Sequence, residues 1–209
     1  MATHQHTVRF HVDDLWSSHV DPKVNDEFLV WLNQMYGKMG EVTAVHSKKF
    51  DYLGVNYDLS EPGVLKMDMI QYMKGMVDEF PMDLTEKVED PALPGIAAES
   101  SGGLLDKEKH QIFHTFVAKE LFACKRARPD IHYAITILST RVSKPQLSDW
   151  NNLVHLMKFI AATWEDKLIL TADSLHILKW YVDVAFAVHP TLSHTLADAL
   201  PLARDLASM

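Results

Sequence analysis

The stretch FHVDDLWSSHVD, residues 10–21, places two adjacent carboxylates, Asp13 and Asp14, inside a run that is otherwise largely apolar. Neighbouring carboxylates repel each other, and each loses favourable hydration when it leaves water. We therefore expect the pair where a turn exposes it or where divalent cations neutralise it. The segment TVRFHVDDLWSSHV predicts two short strands with the aspartates at or near a tight connection.

The composition is that of a globular protein. The 209 residues are 47% hydrophobic, which is enough for a core in one domain or two small ones. The sequence contains no run of about 18 apolar residues, which a membrane span would need. The N-terminal stretch MATHQHTVRF lacks the apolar centre of a secretory signal. The single cysteine, Cys124, excludes an internal disulfide framework and fits an intracellular, reducing compartment.

The formal net charge of −8 weighs against a stand-alone nucleic-acid binder, because affinity for phosphates comes largely from Lys and Arg. Positive charge is nevertheless concentrated in the segment KELFACKRARPD, which contains Lys125, Arg126 and Arg128. On spacing alone, a solvated helix end is the simpler interpretation of these residues.

Helix and strand patterns alternate in the first 80 residues. The segment 21–37 predicts a helix that Asp21 caps, Pro22 begins and Gly37 closes. Its apolar residues share one face and predict a helix that faces the core: Val24, Phe28, Trp31, Leu32 and Met35. Strands are expected at 41–46, 51–59 and 64–69, followed by a helix over 68–80.

Residues 81–105 contain three prolines and three glycines and are the best candidate for a flexible linker. Three helical patterns follow, over 106–126, 129–142 and 148–162, with Ser148 as a candidate cap. Short strands return at 167–172 and 176–188. The apolar faces of the three helices are Phe113, Val117, Leu121 and Cys124; Ile131, Ala134, Ile135, Leu138 and Val142; and Trp150, Leu153, Val154, Met157 and Ile160.

Histidines offer two weak metal patterns. His110 and His114 are four residues apart on a predicted helix, which is ligand spacing, but the H-E-x-x-H pattern of zinc enzymes is missing. His4 and His6 lie near the N-terminus, where we expect at most adventitious metal binding. The histidines therefore do not predict a specific zinc site.

The order of the motifs carries a resemblance. A V-D-D hairpin is followed by VNDEF, KKFDYLGV, FVAKELFACKRARPDIHYAITILSTRV, a tryptophan-containing helix and KWYVDVAFAVHP. Over roughly residues 8–195 this order resembles the C-terminal half of a copia-type retrotransposon reverse transcriptase running into its ribonuclease H domain. The implied fold class is α+β, with a partial antiparallel palm sheet, a helical thumb-like bundle and a short C-terminal strand pair.

The resemblance also implies a division of the chain. Residues 1–84 correspond to the C-terminal half of the palm, and 85–105 to a linker. Residues 106–165 correspond to the thumb, and 166–209 to the connection and the start of ribonuclease H.

Residue roles follow from the same resemblance. Asp13 and Asp14 match the palm carboxylates that hold Mg²⁺ together with a third aspartate on an earlier strand. Lys125, Arg126 and Arg128 match thumb residues that contact an RNA or DNA template–primer. Asp183 matches the first metal ligand of ribonuclease H, although an Asp flanked by aromatic residues on a strand is more simply an edge or capping residue.

The sequence departs from the family in ways that bear on catalysis. His11 stands where an aromatic residue is usual. Asp13 lies twelve residues after Met1, and 26 residues follow Asp183, so we expect both metal sites to be incomplete. The resulting expectation is a truncated reverse transcriptase-like protein that needs its site completed before it holds Mg²⁺ and is not catalytically autonomous. The alternative is a co-opted interaction subunit that self-associates or docks into a protein complex through an exposed palm edge.

Overall fold

The structure is a computed structural model that describes residues 4–171. These residues form two compact units, one of residues 4–69 with 167–171 and one of residues 70–166. We call them the hairpin–sheet unit and the helical unit. Helices and antiparallel strands both occur, which confirms the predicted α+β class. The strand expected at 176–188, which contains Asp183, lies outside the described residues.

The hairpin–sheet unit begins with the predicted hairpin. Strand β1 (Thr7–His11) pairs antiparallel with β2 (Asp14–Ser18). The register sets His11 opposite Asp14, so that Val12 and Asp13 form a two-residue turn. The prediction of two strands joined at the aspartate pair is confirmed.

Helix α1 (Pro22–Tyr36) begins and ends where the sequence predicts. The Asp21 side chain accepts a hydrogen bond from the Lys23 amide, and Gly37 follows the last turn. The prediction of a core-facing helix is wrong, because no residue of α1 is buried and Trp31 is 48% exposed. At its N-terminal end α1 meets polar side chains, as in the 2.7 Å bond from Ser17 Oγ to Asn25 Oδ1.

A four-stranded antiparallel sheet completes this unit. Its strands are β3 (Lys49–Tyr52), β4 (Val55–Asp58), β5 (Val64–Asp68) and β6 (Leu168–Thr171), in that spatial order. Side chains alternate between the two faces along each strand. The register therefore places Phe50 and Tyr57 on one face, which we call the aromatic face, and Lys49, Asp51 and Asp58 on the other, which we call the charged face.

The strand predicted at 41–46 does not form. The Asn33 side chain accepts from the Val42 amide at 2.8 Å and donates to the Val42 carbonyl at 3.0 Å. A helix side chain thus satisfies the backbone groups that a neighbouring strand would otherwise pair. These bonds are the physical reason why residues 41–46 do not pair as a strand.

The helical unit contains α2 (Ile70–Glu79), α3 (Lys107–Cys124), a 3₁₀ turn at Pro129–Ile131, α4 (His132–Ser139) and α5 (Leu147–Thr163). The predicted faces of the last three helical segments are largely confirmed. Leu121, Val142 and Val154 are only partly buried, whereas the other predicted positions are buried. No helix among the described residues is long and apolar enough to cross a bilayer.

Residues 81–105 connect α2 to α3 inside the helical unit. Ile96 is buried, the His155 ring bonds to the Asp90 carbonyl at 2.9 Å, and Ser100 Oγ donates to Asp149 Oδ1 at 2.9 Å. The segment is therefore held by contacts with α5, whereas the sequence predicted a flexible spacer. The boundary between the two units falls between Met69 and Ile70.

The start of α5 also differs from the prediction. Gln146 caps the helix, and its backbone amide donates to the buried Asp149 carboxylate at 2.9 Å. Arg141 donates to the same carboxylate at 2.7 Å. Ser148, the predicted cap, instead accepts a bond from the Ser101 amide at 2.8 Å. These bonds neutralise and satisfy a carboxylate that is fully buried.

Candidate functional site

The aspartate pair lies at the exposed end of the β1–β2 hairpin. Asp13 occupies the second position of the turn, and Asp14 is the first residue of β2. Both residues are exposed. The turn therefore presents two carboxylates in consecutive positions to solvent, where hydration offsets their mutual repulsion.

The turn that carries the pair is strained. Val12 has a φ of 54°, in the left-handed region, and is 90% exposed. Two-residue hairpin turns require positive φ, which Gly and Asn adopt at little cost. A β-branched residue there is a genuine outlier, and such strain clusters at functional sites. Leu53, in the two-residue turn between β3 and β4, has a similar φ of 53°, so positive φ alone does not single out a site. The two consecutive exposed carboxylates make the Val12–Asp13 turn the best candidate site.

Aromatic packing anchors the hairpin inside its unit. The Trp16 ring lies 5.1 Å from the rings of Phe50 and Tyr57 and 5.7 Å from that of Tyr52. Phe50 and Tyr57 stack on each other at 5.3 Å. We call these four residues the aromatic cluster. Because Trp16 is two positions after Asp14 on the same strand, the cluster limits the motion of the carboxylates relative to the sheet.

The carboxylates fit magnesium in type but not in number. Mg²⁺ prefers hard oxygen ligands, and Asp13 and Asp14 supply them. Within residues 4–171, however, no group of three or more His, Cys, Asp or Glu side chains has the geometry to hold a metal ion. A two-metal centre requires more ligands than the hairpin provides. The described residues therefore do not complete such a centre.

The charged face of the four-stranded sheet forms a shallow concavity of about 380 Å³. Lys49 pairs with Asp58 at 3.0 Å, and Lys167 pairs with Asp68 at 3.3 Å. Hydrogen bonds from Ser60, followed by the Lys49 contact, hold the pKa of Asp58 well below its ordinary value. The carboxylates and ammonium groups neutralise one another, which argues against a dedicated ion site there.

Lys125 and Arg126 lie at the C-terminal end of α3. Lys125 is exposed, and the Arg126 guanidinium lies 3.5 Å from the centroid of the Phe122 ring. Phe122 is 36% exposed and also contacts Tyr72, with ring centroids 5.3 Å apart. We call Lys125, Arg126 and Phe122 the basic patch. Cations near a helix C-terminus interact favourably with the negative end of the helix dipole, whether or not they bind a ligand. These residues can therefore be read either as a solvated helix end or as a nucleic-acid contact.

Arg128 belongs to the core of the helical unit. It is 2% exposed and donates to Asp130 at 2.6 and 2.9 Å. It also donates to the carbonyl and hydroxyl of Thr163 at 3.0 and 2.8 Å. Burial and these bonds give Arg128 a structural role in place of the surface contact that the resemblance implied. The predicted nucleic-acid contact therefore rests on Lys125 and Arg126 and stays a prediction.

The histidines belong to no group of three or more potential metal-ligating side chains among residues 4–171. His110 Nε2 lies 2.8 Å from the Val142 carbonyl, and His6 Nε2 lies 2.8 Å from Ser17 Oγ. His114 is exposed. The ring nitrogens of His110 and His6 thus serve hydrogen bonds within their own units. The remaining predicted metal ligand, Asp183, lies outside the described residues and stays a prediction.

Sequence reasoning missed two features of these sites. The positive φ of Val12 has no signature in residue type, although a two-residue turn already demands it. Glu120 is fully buried on α3, where Leu121 was expected to face inward. The spacing of Phe113, Val117, Glu120 and Cys124 follows a helical stripe and could have indicated this burial.

The comparison with curated proteins found a distant similarity to a transposon protein. The chain is 22% identical over 190 residues to a transposon Ty5-1 protein of Saccharomyces cerevisiae. This chain resembles a retrotransposon protein. The match covers 90% of this chain and 59% of the yeast protein, so the chain spans about three fifths of that relative. No protein-family profile matches, and no solved structure matches significantly.

Proposed function

We propose that this chain is a reverse transcriptase-like protein of retrotransposon origin that does not catalyse DNA synthesis by itself. In this proposal the β1–β2 hairpin corresponds to the metal-binding hairpin of a polymerase palm, and the helical unit corresponds to the thumb. The observation that carries the proposal is the strained, exposed turn at Val12 that presents Asp13 and Asp14. The similarity to a transposon protein supports the same origin.

Catalytic dependence follows from the number of ligands. In a complete palm, paired Mg²⁺ ions would supply the charge stabilisation that phosphoryl transfer needs. Asp13 and Asp14 would be two of the ligands, and residues 4–171 hold no group of three that could bind a metal. A further carboxylate must then come from outside these residues or from another chain. The role left to this chain is to present two ligands and to bind a template–primer.

A primer-extension assay tests the catalytic part of the proposal. The purified chain is incubated with an RNA template, a DNA primer, deoxynucleotides and Mg²⁺, beside the variants Asp13→Asn and Asp14→Asn. We expect no extension by any of the three proteins, because the metal centre is incomplete. Extension by the wild type that either substitution abolishes would establish an autonomous polymerase and refute the proposed dependence.

Binding to an RNA–DNA hybrid tests the basic patch. Lysine and arginine contacts to phosphates release counterions, so binding should weaken steeply as salt rises. We expect Lys125→Ala combined with Arg126→Ala to reduce affinity several-fold and to lower the salt slope by roughly 2, which corresponds to two lost contacts.

A charge-matched control is available for this measurement. Lys87→Ala combined with Lys107→Ala removes the same charge from two other exposed positions of the helical unit. This variant should bind nearly as the wild type does. Equal losses for both double variants would show a diffuse effect of net charge and would contradict a specific role of the patch.

The second candidate function is that of an interaction subunit that associates with another copy of itself. Phe10 is 78% exposed and Val12 90% exposed on a two-stranded sheet. Such a sheet leaves strand edges available for pairing. Light scattering across a concentration series should then detect dimers that Phe10→Ser weakens and Asp13→Asn leaves unchanged. A monomer at every concentration would exclude this candidate.

A further inference from the structure

Glu120 is the anomaly of the helical core. It lies on α3 with 0% exposure, between Phe116 and Cys124 in the helical stripe. Within residues 4–171, neither of its carboxylate oxygens has a hydrogen-bond partner. By contrast, the other fully buried carboxylate of this unit, Asp149, accepts bonds from Arg141, Ser100 and the Gln146 amide. Two buried acids in one unit thus have opposite environments.

An unpaired carboxylate in such an environment is strongly disfavoured. Removing an ion from water without a partner costs far more free energy than removing a neutral acid, so the group takes up a proton instead. Burial accordingly raises the pKa of Glu120 well above its ordinary value of 4.5. The protonated form still leaves polar atoms without partners, so the position remains unfavourable in either state.

Neighbouring titratable groups do not compensate the charge. On α2, the Tyr72 hydroxyl donates to the Lys119 carbonyl at 3.2 Å, and burial raises the pKa of Tyr72 whereas the nearby Arg126 lowers it. The groups on the other elements that contact α3 are exposed or bonded elsewhere: Lys74, Asp78 and Glu79 on α2; Asp130 in the 3₁₀ turn; His132 and Tyr133 on α4; and Asp149, His155 and Lys158 on α5.

We propose that Glu120 is held as a neutral acid in the helical core and that its ionisation is a pH-sensitive device that loosens α3 from its neighbours. Below the ordinary value of 4.5, folded and unfolded chains both carry the proton. Above it, the unfolded chain releases the proton while the folded chain keeps it. Each further pH unit therefore lowers the folding equilibrium constant about tenfold, until the folded state ionises as well.

The test compares the wild type with Glu120→Gln and Glu120→Leu as full-length chains. Hydrogen exchange of peptides from 107–124 is measured by mass spectrometry between pH 5 and pH 9, after correction for the intrinsic pH dependence of exchange. We expect protection of the wild-type peptides to fall by up to about tenfold per pH unit. The Gln variant should show no such slope, and the Leu variant should be flat and better protected throughout.

Infrared difference spectroscopy gives a second, independent readout. The carbonyl band of a neutral carboxylic acid should be present in the wild type at pH 7 and missing from the Gln variant. An ionised Glu120 at pH 7, or equal pH slopes in wild type and Glu120→Gln, would overturn the proposal. The absence of this band from the wild-type chain at pH 7 would overturn the proposal even if one of the variants folds poorly.

Discussion

The indole ring of Trp16 meets the Phe50 ring edge to face, with centroids 5.1 Å apart. This contact joins the hairpin that carries the aspartate pair to the four-stranded sheet of the same unit. Edge-to-face pairs add roughly 0.5–1.5 kcal/mol to the hydrophobic gain. Trp16 also contacts Tyr52 and Tyr57, so one side chain on β2 accounts for much of the attachment.

Replacing Trp16 by Ala should therefore free the hairpin. We expect a loss of about 2–3 kcal/mol in the free energy of unfolding, because a large, partly buried aromatic side chain loses three ring contacts. Urea denaturation followed by circular dichroism measures this loss. Phe10→Ala is the control, since Phe10 is 78% exposed and should change stability by less than about 0.5 kcal/mol. Equal effects of both substitutions would contradict the anchoring role.

Relieving the turn should stabilise the hairpin. Val12→Gly replaces a β-branched residue at a φ of 54° by one that adopts this conformation freely. We expect a gain of about 1 kcal/mol, because the released strain exceeds the added entropy of the unfolded chain. Val8→Gly within β1 is the matched control and should instead destabilise by about 1 kcal/mol. A loss of stability in Val12→Gly would show that the turn is not strained.

Arg128 should matter for the stability of the helical unit. Arg128→Ala leaves Asp130 and Thr163 without their partner, and breaking a buried pair from one side typically costs about 3–5 kcal/mol. Asp130 keeps access to solvent, so we expect the lower end of that range. Thermal unfolding is compared with that of Arg126→Ala, whose side chain lies at the surface. A stable Arg128→Ala protein would contradict the structural role.

The charged face of the sheet should respond to acid. The bonds from Ser60 and then Lys49 lower the pKa of Asp58 in the folded chain, so its stabilising effect is complete above the ordinary value of 3.8. That effect is lost as the pH falls toward the folded-state pKa. Wild type should therefore lose more stability than Asp58→Asn on acidification from pH 5 to pH 2. The control Asp51→Asn changes a carboxylate on the same face and should lose as much stability as the wild type does. Equal losses of stability in the wild type and in both variants would contradict the role of Asp58.

Local patterns predicted α1 and the β1–β2 hairpin, but they missed the loop at 41–46 and the division of the strand expected at 51–59 into β3 and β4. A cap at Asp21, a proline at the first helical position and apolar spacing were enough to define α1, because helix termini depend on nearby residues. The hairpin was predicted because two adjacent carboxylates favour an exposed turn. The exposure of α1 was not predicted, because an amphipathic pattern shows which face of a helix is apolar but not what covers that face.

In the candidate sites, too, some features could be predicted from nearby residues and others depend on residues distant in sequence. The exposure of Asp13 and Asp14 followed from the chemistry of their charges. The role of Arg128 did not, because its carbonyl and hydroxyl partners lie on Thr163, 35 positions along the chain. The proline- and glycine-rich segment 81–105 suggested a spacer, but contacts with α5 hold it in the helical unit.

The sequence by itself determined both ends of α1, the hairpin at the aspartate pair and most of the apolar faces of α3, α4 and α5, since these depend on neighbours within one or two turns of the chain. Tertiary structure alone decided that the buried Glu120 has no partner among the described residues, that Ser100 reaches the Asp149 carboxylate, and that Trp16 anchors the hairpin. The physical reason is that desolvation and pairing depend on groups distant in sequence, whose approach no local pattern encodes.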